Sequence, residues 1–137
     1  MSNTMLTAKQ KTILVVDDNK GILDVMRVIL EHSGYIATTT NDGRYLIHMK
    51  QPLPDLIFLD IMLSGTDGRE LCKLLKADEK TKHMPVLILS ANNDIAEISK
   101  NCGADGYLSK PFDMKHMLDL VELHTRKMFS ENANKDK

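Results

Sequence analysis

Five side chains with oxygen or ammonium groups close otherwise apolar runs. Asp17 and Asp18 follow "TILVV", Asp60 ends "DLIFLD", Ser90 ends "PVLILS" and Lys110 ends "DGYLSK". Adjacent carboxylates at the end of an apolar run repel each other and lose hydration. At about 4 Å and an effective dielectric near 20, like charges cost roughly 4 kcal/mol. Three acids in one crevice need a cation. Oxygen donors of this kind suit Mg²⁺, which keeps several waters, takes one or two carboxylates and expects phosphate oxygens. Lys110 offers a point positive charge to a phosphoryl oxygen, and Ser90 a hydroxyl donor. One acid is then the nucleophile, because an aspartate carboxylate can accept a phosphoryl group as an acyl phosphate. The metal neutralises charge between two anions that otherwise would not approach. Each residue alone has a plainer use: adjacent acids after a strand complement a helix dipole, and a lysine before proline suits a solvated turn. The joint arrangement is what points to phosphoryl chemistry.

That arrangement requires the runs to be strands of one sheet. Residues 12–16, 55–60 and 85–90 are continuous apolar segments of strand length, as in strands buried on both faces. Residues 35–40, "YIATTT", are weaker and suit an edge strand, and 105–110 form a last short strand stopped by Pro111. Between them lie helix-period segments. "KGILDVMRVILEHSG" sets Ile22, Val25, Met26, Ile29 and Leu30 on one face, with Gly34 as a stop. Residues 42–50 read as a short helix, and "IMLSGT" as a loop. Leu71, Leu74 and Leu75 face inward from the next helix, followed by a polar helix closed by Gly103. The longest helix, 113–129, turns Met114, Met117, Leu118 and Val121 inward, with Asp113 as its cap. Five successive βα units predict a parallel sheet with helices on both faces. In such sheets ligands bind beyond the carboxyl ends of the strands, where the five polar residues fall.

Composition narrows the classes. At 137 residues the chain suits one domain. A formal net charge of −1 leaves no electrostatic footprint for nucleic acid or anionic membrane, and the absence of Trp with only 4% aromatic residues argues against base stacking. No apolar run approaches membrane-spanning length, and the first ten residues lack a secretory h-region, so the expected location is cytoplasmic. Cys72 and Cys102 form no CxxC pair and read as reduced, partly buried thiols. His32, His48, His83, His116 and His124 show no paired ligand spacing and read as surface or rim residues.

Together "VVDDN", "LIFLDIMLSGTDG", "VLILSA" and "GADGYLSKPF" resemble the receiver domain of two-component response regulators, as in single chemotaxis-type receivers. The resemblance runs from about Lys11 to Lys127. It implies a flavodoxin-like, doubly wound sheet in the order 2-1-3-4-5 with five helices, and a receiver domain over 11–127 between flexible tails at 1–10 and 130–137. It implies Asp60 as phosphoacceptor, Asp18 as direct Mg²⁺ ligand, Asp17 reaching the metal through water, and the Met62 backbone carbonyl as a further ligand. Ser90 matches the switch hydroxyl and Lys110 the lysine that grips the phosphoryl group, before a cis bond to Pro111. Tyr107 matches the aromatic that turns inward when Ser90 moves. Ser64 departs from the pattern, standing where the family usually has proline.

The implied function is a phosphorylation switch. A sensor histidine kinase or histidine phosphotransferase would donate to Asp60, and a downstream protein would read the face made by the fourth helix, fifth strand and fifth helix, without direct nucleic-acid or membrane binding. The domain would catalyse only its own phosphorylation and dephosphorylation. The alternative is a Mg²⁺-dependent phosphohydrolase of the haloacid dehalogenase type, which wants a second acid two residues after the nucleophile; Met62 stands there. A flavodoxin-like nucleotide binder would want free backbone N–H groups after the first strand, where "DDNKG" presents acids.

Overall fold

In the computed structural model, which describes residues 10–135 and the side chains of 10–126, the elements alternate along the chain. They run β1 (Thr12–Val16), α1 (Lys20–His32), β2 (Ile36–Thr40), β3 (Leu56–Asp60), the two-residue strands β4 (Met62–Leu63) and β5 (Thr66–Asp67), α2 (Gly68–Ala77), β6 (Val86–Ser90), α3 (Ile95–Asn101), β7 (Gly106–Ser109) and α4 (Met114–Lys135). Five strands form one parallel sheet in the order β2-β1-β3-β6-β7, the order implied by the resemblance.

Strand periodicity builds two cores. Leu14, Val16, Ile57, Leu59, Val86 and Ile88 pack with Leu71, Cys72 and Leu75 of α2 and Ile95 of α3. Their neighbours Ile13, Val15, Phe58, Leu87 and Leu89 point the other way, against Leu23, Met26 and Leu30 of α1 and Met117 and Val121 of α4. Every residue of β3 and β6 is buried, whereas β2, at the edge, leaves Ile36 45% exposed.

Four differences from the sequence reading have local causes. Among the described residues there are four α-helices, not five: residues 42–50 yield only a 3₁₀ turn, Gly43–Leu46. Leu46 is its one buried apolar side chain, too little to stabilise a helix so short. Val25 and Leu74 are exposed rather than inward, because each lies one position off the buried stripe and a helix turns about 100° per residue; Met114 shares the face of Met117 and Val121 but is exposed at the first position of α4. His124 is buried, not at the rim, since it continues the stripe of Met117 and Val121 and packs over Gly106. The expected loop after Asp60 contains an antiparallel hairpin, with Met62 paired to Asp67 and Leu63 to Thr66. At the ends, α4 continues as backbone to Lys135, past the expected stop at 129. Of the segments expected to be tails, residues 1–9 and 136–137 lie outside the described residues.

Candidate functional site

Parallel register brings the strand ends level. Val16 lies beside Leu59, Asp60 beside Leu89 and Ser90 beside Ser109, so the residues that close these strands emerge along one edge. Asp17 follows β1 and is fully buried. Its Oδ1 accepts the Asn19 N–H at 2.8 Å, while Asn19 caps α1 by accepting the Ile22 N–H at 3.0 Å. Its Oδ2 lies 2.8 Å from Lys110 Nζ. That contact is an ion pair without hydrogen-bond geometry, and Asp17 Oδ2 has no hydrogen-bond partner among the described residues.

Asp60 ends the central strand, 7% exposed. Its Oδ1 accepts the Met62 N–H at 3.0 Å, and its Oδ2 lies 3.5 Å from the same Lys110 Nζ. One ammonium therefore serves two buried carboxylates. The Asp60 carboxyl titrates above its ordinary value, chiefly through burial and also through repulsion by Asp17; the Met62 N–H and the Lys110 charge only partly offset this. Lys110 lies just past β7, and its N–H donates to the Ser90 carbonyl at 2.8 Å. Its bond to Pro111 is cis. Ser90 is buried, and its Oγ accepts the Asn92 N–H at 3.0 Å. Tyr107 is 41% exposed.

Asp18 does not join this group. The sequence reading gathered three acids into one cluster, yet among the described residues no three His, Cys, Asp or Glu side chains are close enough to hold a metal ion. Asp18 turns to the hairpin, where its Oδ2 accepts both the Ser64 N–H at 2.6 Å and the Ser64 hydroxyl at 2.8 Å. It lines an open cavity of about 510 Å³ with Asn41, Arg44, Ser64 and Thr66. Repulsion from Asp17 and two donors on the hairpin favour this orientation. A larger cavity, about 780 Å³, lies between the 3₁₀ turn and α2, away from the carboxylates.

Two residues that shape the site were not among the candidates. Ser64 was legible only as a departure from a pattern, and nothing in the sequence ties it to Asp18, 46 positions away. Gly68 opens α2 directly against the strand end that carries Asp60. A Cβ there would meet the Asp60 carbonyl group and lie 2.7 Å from Ile61 Cα, so the chain after Asp60 can pass only over a glycine.

A doubly wound sheet in this order, with a buried aspartate on the central strand, an acid pair after the first strand, and a serine and a lysine after the last two, defines a receiver-type signalling fold. The chain belongs to the response regulator receiver domain family, which it matches over residues 13–122. It is 40% identical over 118 residues to the DNA-binding dual master transcriptional regulator RpaA of Synechocystis, covering 84% of this chain and 49% of that protein. It is 33% identical over 132 residues to the DNA-binding response regulator MtrA of Mycobacterium tuberculosis, covering 94% of this chain and 56% of that one. The chain thus spans about half the length of these relatives. A CheY-like receiver domain from Methanospirillum hungatei superposes with a TM-score of 0.79 at 28% identity, over 90% of this chain and 99% of that one. The chain is therefore a receiver domain of two-component response regulators, a class of signalling switch and not of turnover enzyme. None of these similarities supports the phosphohydrolase alternative. Among the described residues, no helix is long and apolar enough to cross a membrane.

Proposed function

We propose that Asp60 accepts a phosphoryl group from the phosphohistidine of a sensor histidine kinase or histidine phosphotransferase, in the cytoplasm. The observation that carries this reading is the position of Asp60. It is the one buried acid at the end of the central strand, with an ammonium 3.5 Å away and the Ser90 hydroxyl on the adjoining strand. A carboxylate oxygen of Asp60 attacks phosphorus, the bond to the histidine nitrogen breaks, and an aspartyl phosphate forms. Lys110 takes a phosphoryl oxygen, and Ser90 donates its hydroxyl to another.

The donor set suits Mg²⁺. All candidate donors are hard oxygens, Asp17 Oδ2 is buried without a hydrogen bond, and Asp17 and Asp60 share a single positive charge. Asp60 and the Met62 carbonyl would hold the ion, with Asp17 reaching it through water and Asp18 directly once released from Ser64. Bound there, Mg²⁺ would neutralise charge between the carboxylates and the incoming phosphoryl group. Phosphorylation draws Ser90 inward, Tyr107 follows into the space it leaves, and the face formed by α3, β7 and α4 changes for a downstream protein. The domain's own chemistry is limited to gaining and losing this group.

Intact-protein mass spectrometry after incubation with acetyl phosphate tests the reading. The expected result is a gain of one phosphoryl group that requires both Mg²⁺ and Asp60 and is lost in Asp60→Asn. No gain in the folded wild-type protein, or an equal gain in Asp60→Asn, would overturn it.

A further inference from the structure

Four of the five strands of the parallel sheet lead on to an α-helix, whereas β2 leads only to the 3₁₀ turn Gly43–Leu46. The chain then runs as an irregular connection to β3, and the cavity of about 780 Å³ opens between that connection, the turn and α2. Small-molecule sites usually measure roughly 300–1,000 Å³. The floor is made by core side chains, Leu46 of the turn and Leu71 and Leu75 of α2, all buried. Ile47 and Leu74 stand at the rim, 59% and 60% exposed. Thr81, the buried polar residue of the lining, donates its hydroxyl to the Leu75 carbonyl at 2.6 Å and so makes no demand on a ligand.

The charged residues gather at one end. Lys50 lies in the connection into β3 and Lys80 in the connection into β6, so both stand towards the amino ends of the strands, away from the carboxylates of the phosphoacceptor site. Among the described residues neither ammonium makes an ion pair or a hydrogen bond, whereas Lys76 and Lys82 nearby are paired with Asp105 and Glu79. Asp78, the acid of the lining, accepts the Lys80 backbone N–H at 2.8 Å and is thereby folded onto its own turn. Two ammoniums against one carboxylate leave this end positive.

We propose that the cavity binds an amphipathic carboxylate, a small molecule with an aliphatic body and one anionic head, of the medium-chain fatty acid class. The body would lie on Leu46, Leu71 and Leu75 and cover Ile47 and Leu74, taking apolar surface out of water. The lining holds no aromatic ring on which a planar ligand could stack. The head would meet Lys50 and Lys80, whose compact charges suit a single carboxylate. A neutral ligand would leave both ammoniums unused, and a cation would be repelled. A hollow that descends to the core suits one flexible chain better than the broad face of a protein partner. Nothing in this assignment depends on the phosphoacceptor reading of Asp60.

The test titrates sodium decanoate, below its micelle concentration, into the ¹⁵N-labelled full chain and follows the amide shifts. The expected result is saturable binding with a Kd at or below about 1 mM, with shifts concentrated in residues 46–53 and 71–81. Decyltrimethylammonium, the same chain with a positive head, should bind at least about tenfold more weakly. The double variant Lys50→Gln, Lys80→Gln should weaken decanoate by about 3- to 10-fold, since two exposed ion pairs are lost. Leu74→Glu puts a charge on the exposed rim without entering the core, and should weaken it by at least about tenfold. The same spectra report whether each variant is folded, and acetyl phosphate labelling should be equal in all of them, so that loss of labelling with decanoate binding intact counts against the phosphoacceptor reading alone. Weaker or non-saturable binding to the wild type overturns the proposal, as do shifts confined to other residues, equal affinity for the two head groups, or a double lysine variant that binds as the wild type does. If decanoate fails to bind while phosphatidylglycerol vesicles do, or while Leu74→Glu turns a wild-type dimer into a monomer, the hollow serves a membrane surface or a second copy of the chain instead.

Discussion

Replacing Ser64 tests which way the hairpin acts on Asp18. Ser64 and Gly65 form the two-residue turn between β4 and β5. Gly65 has φ +73, while Ser64 has an ordinary negative φ, the pattern of a type II turn. Proline is at home at the first central position of such a turn, so Ser64→Pro fits the backbone while deleting both donors to Asp18. Ser64→Ala deletes the hydroxyl alone. Bonds to a charged acceptor are worth roughly 1.5–3 kcal/mol when shielded, but Asp18 and Ser64 are exposed, and water competition reduces each to about 0.5–1 kcal/mol. If Asp18 must leave Ser64 to reach a cation held by Asp60, the two bonds together oppose binding by about 1–2 kcal/mol, or roughly 5- to 30-fold in Kd. Calorimetric titration of MgCl₂ into metal-free protein should show Ser64→Ala tighter by about 2- to 5-fold and Ser64→Pro tighter still. Weaker binding in both variants would refute the reasoning, because it would mean that Ser64 holds Asp18 in place for the metal. Unchanged binding would mean that the exposed bonds carry no net energy.

Two further outcomes follow from the packing around Asp60. The raised Asp60 carboxyl means that the folded protein holds this proton more tightly than the unfolded chain. Its contribution is full below the ordinary carboxylate value near 4 and is lost as pH rises through the folded value. In metal-free buffer, Asp60→Asn should therefore show a higher urea midpoint than wild type at pH 7, with the difference closing as pH falls towards about 3; a variant less stable at pH 7 would contradict this. Gly68→Ala places a Cβ 2.7 Å from Ile61 Cα and 2.9 Å from the Asp60 carbonyl carbon. It should lower stability by about 1–3 kcal/mol and slow acetyl phosphate labelling through displacement of the acceptor loop, and wild-type behaviour in both assays would rule the clash out.

The strand ends were legible because each feature is local. β1 occupies 12–16 as its apolar run predicts, and Asp60 and Lys110 are marked by the abrupt change from aliphatic to charged residues. Helix faces are legible only to within one position, so Val25 and Leu74 fall outside the buried stripe, where 100° between neighbours is enough to expose a side chain; Met114 lies on the stripe, but its helix begins there, which the apolar spacing alone does not mark. His124 could have been found by extending the stripe from Met117 and Val121. The turn of Asp18 to Ser64 could not have been, since it joins elements that only the chain crossing brings together.

Lys110 links the two halves of the site in a way that bears on how a signal leaves it. Its ammonium is closer to Asp17, at 2.8 Å, than to Asp60, at 3.5 Å. Asp17 is held in turn by the Asn19 N–H at the start of α1, so the lysine is anchored on Asp17 and leaves Asp60, the proposed acceptor, less tightly paired. Its backbone N–H is bonded to the Ser90 carbonyl, and β6 and β7 run in register up to that point. A phosphoryl group that recruits both the Lys110 ammonium and the Ser90 hydroxyl therefore pulls on two strands already joined at their ends. Tyr107, half-exposed on β7 beside α3, is where the proposed switch would carry that pull towards the face formed by α3, β7 and α4.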